Sequence, residues 1–212
     1  MTLAEIKAEV FRRLDESAST QVFFTEADVE AAIGDGLSEL SDATEWDERW
    51  QTVDLLAARP WYDVRTILGT HVLSVREAFH EDTNRWLVTG RQSDLDRADA
   101  RWERVPAPPQ RMMTAGLWWV SYWPRIGSDT GTVKQYYTAL PDALEDDADE
   151  PGFPEPYHYA LVEYAIYDLK AQEGETTMAL QAWEAYLRYE ASLQAFVDGR
   201  LSDPMVLGYG AH

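Results

Sequence analysis

Histidine and serine chemistry are judged in this chain by spacing, cysteine chemistry by composition. The histidines are His71, His80, His158 and His212. None stands at metal-ligand spacing from another and no H-E-x-x-H pair occurs, so no metal centre is expected. Cysteine is absent, which removes thiolate nucleophiles, Cys-type zinc sites, disulfide frameworks and iron–sulfur clusters together. There is no G-x-S-x-G elbow, phosphate loop, dinucleotide fingerprint or kinase lysine motif, and no cofactor is expected. His158 stands between Tyr157 and Tyr159 at the opening of a helix and reads as a structural group.

Carboxylates are the abundant functional group. Asp and Glu number 38 against 18 Lys and Arg, a net charge of −20 and a pI near 4.4. Such abundance makes any one pair uninformative, because a glycosidase-like couple needs one acid in an apolar pocket beside a second. A small acid-dependent hydrolase stays open as an alternative on that basis alone. The densest run, Glu145-Asp146-Asp147-Ala148-Asp149-Glu150, is closed by Pro151-Gly152. It lacks the alternating ligands and closing Glu of a calcium loop and reads as a solvated acidic linker. Nine tryptophans raise a second alternative, a carbohydrate-binding module. Trp118, Trp119 and Trp123 fall on an expected strand, with 119 and 123 on one face and 118 on the other. Core packing produces the same pattern. The acidity argues against binding nucleic acid or anionic membrane through a basic patch. No apolar run approaches the roughly 20 residues of a membrane span, and Met1–Lys7 lacks the regions of a signal peptide.

The elements that hold these side chains follow from caps and period. Thr2 with Glu5 is a capping box, and Leu3, Ile6, Val10 and Leu14 recur at helical spacing, predicting a helix over about 2–16. Thr25, with Glu26 and Asp28 in the first turn, opens a second over about 25–43, with Val29, Ile33, Leu37 and Leu40 as its buried stripe. Gly34 and Gly36 inside it cost about 1 kcal/mol each against Ala; they either admit a close neighbour or mark an early end. From about 50 to 141 the period shortens. Strands are expected near 52–55, 64–68, 72–79, 86–89, 117–123 and 132–137, with a short helix from about 93 to 103. Two long helices follow the acidic loop, over about 155–172 and 176–198. The first carries one apolar stripe of Tyr157, Leu161, Tyr164, Ala165 and Leu169 and a second of Tyr159, Val162 and Ile166, which marks a central helix. Residues 199–212 lose the helical period but keep Leu201, Met205, Val206, Leu207 and Tyr209. The expected architecture is α+β: a four-helix bundle core, a small antiparallel β-sheet excursion between helices 2 and 3, and an extended C-terminal tail. Residues 1–198 would be one domain and 199–212 a docking tail.

This order of elements, with Pro154-Glu155-Pro156-Tyr157-His158-Tyr159-Ala160-Leu161 opening the third long helix, resembles the head–tail adaptor (connector) proteins of tailed bacteriophages and related gene-transfer particles. In that family the corresponding helix often reads Pro-x-x-Tyr/Phe-His-x-Ala-Leu. The resemblance covers residues 2 to about 198. It implies a non-enzymatic structural virion protein at the head–tail junction, assembled in the host cytoplasm. It further implies a ring of about twelve copies beneath the portal protein, touching further tail or neck proteins and passing DNA without specific binding, with no membrane partner. The tail then corresponds to the arm that family members insert into the portal, through Leu201, Pro204, Met205, Val206, Leu207 and Tyr209, ordered by that contact, folding back onto its own domain being the other reading. Tyr159, Val162 and Ile166 become candidates for the interface between copies, cover from within by the β unit being the other reading of that stripe. An acidic wall repels phosphate over a Debye length of about 8 Å, and 145–150 is one candidate for it, general acidity for solubility being the other reading of the charge.

Overall fold

Threonine side chains start the first two helices. In the computed structural model, which describes residues 1–14, 23–57, 59–98, 106–127 and 131–202, Thr2 accepts from the Glu5 amide while the Glu5 carboxylate takes the Thr2 amide, opening α1 (Leu3–Arg13). Thr25 and Asp28 form the same reciprocal box ahead of α2 (Glu26–Thr44). Each box satisfies amides that the first turn leaves without partners. Two short helices, α3 (Val64–Ile67) and α4 (Gln92–Ala98), follow. Then come α5 (Tyr159–Glu173), ended by Gly174 in the left-handed region, and α6 (Thr176–Ser202).

The chain divides into two units, Met1–Asp47 with Pro141–His212, and Glu48–Leu140. In the first, α1, α2 and α6 all pack on α5. Leu3, Ile6 and Val10 of α1, Val29, Ile33 and Leu40 of α2, Leu161, Val162 and Ile166 of α5, and Tyr186 and Leu193 of α6 share one core. Burial of such side chains stabilises by about 1.5–3 kcal/mol each, so α5, apolar on two sides, is the natural hub.

The second unit holds eight strands: β1 (Glu48–Leu55), β2 (Trp61–Asp63), β3 (Val72–His80), β4 (Arg85–Trp86), β5 (Val88–Gly90), β6 (Arg111–Ala115), β7 (Trp119–Trp123) and β8 (Gly131–Ala139). They make two four-stranded sheets in the orders β1-β8-β3-β4 and β2-β7-β6-β5. The first sheet is antiparallel throughout. In the second, β5 and β6 run parallel, and the connection between them carries α4, since a parallel pair needs a crossover rather than a hairpin. Val53, Leu55, Tyr62, Met112, Val120, Tyr122 and Val133 form this unit's own core. Inside it the Tyr122 hydroxyl donates to Gln135 Oε1 at 2.9 Å, and Gln135 Nε2 donates to the carbonyls of Glu77 and Tyr136. The buried amide is therefore satisfied on both ends, as a buried polar group must be.

These findings correct the expected architecture. The class is α+β, but not a four-helix bundle core with one small antiparallel sheet: the described residues form six helices and two sheets of four strands. The segment after Asp47 has enough inward apolar residues to close a core of its own, so it is a unit and not an excursion. Residues 64–68, expected as a strand, form α3, because Asp63 accepts from the Arg65 amide and caps a helical turn there. Strands β2 and β6 were absent from the sequence-based expectation.

Candidate functional site

Lys7 is the first polar centre. It lies on the buried side of α1, one residue past Ile6, and is itself buried. Its ammonium donates to Glu26 Oε1 at 2.7 Å and Glu30 Oε1 at 2.8 Å on α2, and pairs with Asp147 Oδ1 at 2.6 Å. Burial alone lowers the ammonium pKa, but hydrogen bonds to Asp147, Glu26 and Glu30 outweigh it and hold Lys7 above the ordinary lysine range. Those three carboxylates lie within 4.8 Å of one another and are the one cation-holding trio among the described residues. The ammonium sits among them.

The acidic run is thus more than a linker. Its carboxylates from Glu145 to Asp147 stay exposed, as a solvated loop requires, yet its backbone is engaged. Asp149 O accepts from Leu3 N at 2.8 Å and Asp147 O from Ala4 N at 3.1 Å. Asp149 Oδ2 takes the amides of Asp146 and Glu145, each at 2.9 Å; these bonds hold its carboxyl below the usual carboxylate range. The loop therefore closes over the first turn of α1. A lone lysine on an otherwise apolar stripe was the one sequence signal for this arrangement.

The buried acid among the described residues is Glu163, on α5. Its Oε1 pairs with Arg13 Nη1 at 2.6 Å and its Oε2 has no hydrogen-bond partner. Its near neighbour is a guanidinium, which suits a structural ion pair rather than the two-carboxylate chemistry of a hydrolase. Trp118, Trp119 and Trp123 do not form a shared platform either. Trp119 is exposed, Trp123 packs against the Leu95–Met113 cluster, and the Arg65 guanidinium lies over the Trp118 ring at 5.1 Å.

The three residues proposed for copy-to-copy contact part company. Val162 and Ile166 are closed inside the helical core, covered by the chain's own helices. Tyr159 is 40% exposed and its ring stacks on Tyr189 of α6, centroids 6.4 Å apart. Further along α6, Leu180 and Leu187 are exposed on one helical face, seven residues apart. At its far end the rings of Tyr157 and Phe196 meet at a tilt of 42°, with the Arg200 guanidinium over Phe196. Helix α6 runs to Ser202, past its expected end, and includes the backbone of Leu201. The Leu201 side chain, with Pro204, Met205, Val206, Leu207 and Tyr209, lies outside the described residues.

The arrangement ties elements together through ion pairs and leaves apolar side chains exposed on α6. A family model described as SU10 adaptor protein matches residues 1–206, both units together. The chain belongs to the SU10 adaptor protein family. None of the curated proteins matches it. Membership bears out the resemblance to phage head–tail adaptors and gives this SU10 adaptor a structural role in a phage particle. Among the described residues, no helix of this SU10 adaptor is long and apolar enough to cross a membrane.

Proposed function

We propose that the chain forms a ring of about twelve copies that docks under the portal protein and extends the DNA channel toward the tail. The match to the SU10 adaptor family over 1–206 carries this reading. The C-terminal segment from Leu201 is the portal arm, using Leu201, Pro204, Met205, Val206, Leu207 and Tyr209; a run of apolar side chains of this kind suits burial against a partner. Tyr159, with Leu180 and Leu187, supports a contact between copies from the surface of α5 and α6. Val162 and Ile166 serve that contact only by holding α5 in place. A net charge of −20 suits a conduit that DNA crosses without sticking.

The test is reconstitution with the portal protein of the same phage, followed by electron microscopy and mass photometry. A ring seated on the portal is expected. Removal of residues 203–212 should abolish seating while leaving the circular dichroism of the helices unchanged. No association of the full chain with the portal overturns the reading. Undiminished seating of the truncated chain overturns the arm.

A further inference from the structure

The net charge of −20 belongs to one unit. Met1–Asp47 with Pro141–His212, the helical unit, carries 27 acidic and 6 basic residues, a net −21. Glu48–Leu140, the β unit, carries 11 and 12, a net +1, and 11 of its 12 bases are arginine. Copies meeting through their helical units alone would set like charge against like. A ring joint is heterologous, bringing two different patches together. The partition of charge therefore favours a helical patch on one copy against a β patch on the next.

The helical patch lies where α2, α5 and α6 converge. Gly36 puts α2 against the Tyr164 ring, and Tyr164 meets Tyr186 of α6, centroids 5.3 Å apart. Asp35 and Glu39 stand on either side of Gly36, while Asp168 and Glu190 follow their tyrosines by four residues. Burial, and then the charges of Glu39, Asp168 and Asp35, push the Tyr164 hydroxyl up. The Tyr186 hydroxyl is buried and meets no partner at hydrogen-bond geometry; burial, Glu190 and Glu39 push it up further. Asp168 accepts from Gln172 Nε2 at 2.8 Å. Asp35, Glu39 and Glu190 pair with no cation among the described residues, and Arg188 lies on the far side of α6 from Glu190. Leu187, three residues before Glu190, and Leu180 continue this face as exposed apolar surface.

The β unit carries the complement in one short stretch. Arg85 and Trp86 of β4, Val88 of β5 and Arg91 just after it are exposed, Val88 by 63%. Arg111 of β6 pairs with Val88, and its Nη1 lies 3.8 Å from a Cβ built at Gly90, the residue before Arg91. None of the three arginines makes an ion pair among the described residues.

We infer, resting on the ring reading, that Arg85, Arg91 and Arg111 of one copy face Asp35, Glu39 and Glu190 of the next. Trp86 and Val88 then lie against Leu180 and Leu187. Opposite charges fix the register of the joint and the apolar side chains form its dry centre.

The test reads, by electron microscopy, the yield of closed rings of the full chain on the portal protein. Asp35→Arg with Glu39→Arg should cut it at least about tenfold, and so should Arg85→Glu with Arg91→Glu. Mixed one to one, these two ring-deficient chains should recover rings, because alternating copies meet opposite charge at every joint. Glu145→Arg with Asp146→Arg, an equal charge change on the acidic loop, should leave the yield within about twofold. An undiminished yield from either pair, a mixture that recovers nothing, or an equal loss in the loop control overturns the inference while the ring stands. Wild-type copies that never close into a ring overturn the ring reading and this inference with it.

Discussion

Gly36 on α2 lies directly against the ring of Tyr164 on α5: a Cβ built at Gly36 would stand 2.8 Å from Tyr164 Cδ1 and 3.0 Å from its Cβ and Cγ. No side chain fits there without the two helices parting. At Gly34, two residues away, the same construction meets nothing within 4 Å. The two glycines therefore have opposite signs. Gly34→Ala should stabilise by about 0.5–1 kcal/mol through helix propensity. Gly36→Ala should destabilise by about 1–3 kcal/mol through overpacking. Urea titration of the two variants checks this, and equal shifts would show that α2 and α5 are not in this register.

Lys7 makes a second prediction, because its removal leaves Glu26, Glu30 and Asp147 facing one another. Lys7→Met should cost about 1–2 kcal/mol. Added salt should narrow the gap from the wild type by screening the carboxylates against each other. The folded-state pKa is raised, so the stabilisation is complete below the ordinary lysine value of about 10.4 and is lost only as pH rises through the folded value. Melting of both proteins from about pH 6 to 9 should accordingly show a constant difference.

His80 works in the acid direction. It is buried on β3, its Nδ1 lies 2.7 Å from Thr83 Oγ1, and its Nε2 has no hydrogen-bond partner. Burial depresses its pKa, and Asp82, 3.7 Å from Nε2, only partly opposes this. In the unfolded chain the imidazole takes a proton near pH 6.5; in the native state it does so only at lower pH. Stability should fall as pH drops through that window and level off once the native imidazole also charges. His80→Gln should melt with a shallower dependence between about pH 7.5 and 5.5. A slope identical to the wild type would remove His80 from the account.

Local signals were legible in the sequence wherever one residue decides a local structure. The Thr2–Glu5 box and the Thr25 cap start α1 and α2 where their spacing says, and Gly174 stops α5 in the left-handed region. The two-sided apolar pattern marked α5 as central, as its packing bears out. What covers its second stripe was not legible: Val162 and Ile166 meet the chain's own helices, and periodicity reports that a face is buried, never by what. Strand β6, Arg-Met-Met-Thr-Ala, has neither alternation nor β-branched density and follows a Pro-rich stretch, so nothing local announces it. The parallel β5–β6 pair rests on non-local register, which no window contains. The Lys7 cluster was not legible for the same reason, since Asp147 is far away in sequence and the acidic run carries no mark of its contact with α1.

Arg13 and Glu163 bring the last prediction. The guanidinium is one-third exposed while the carboxylate is almost fully buried, so the two single substitutions are not equivalent. Arg13→Ala strands an ionised group inside the helical core and should cost about 2–3 kcal/mol. Glu163→Gln keeps a polar group able to accept from Arg13 and leaves the arginine its route to water, so about 1 kcal/mol is expected. The double variant Arg13→Ala with Glu163→Gln should be more stable than Arg13→Ala alone, because the stranded charge is gone. Chemical denaturation of the four proteins as a cycle measures the coupling directly. If the double variant is as unstable as the sum of the two, the pair is a surface contact and Glu163 is hydrated in solution.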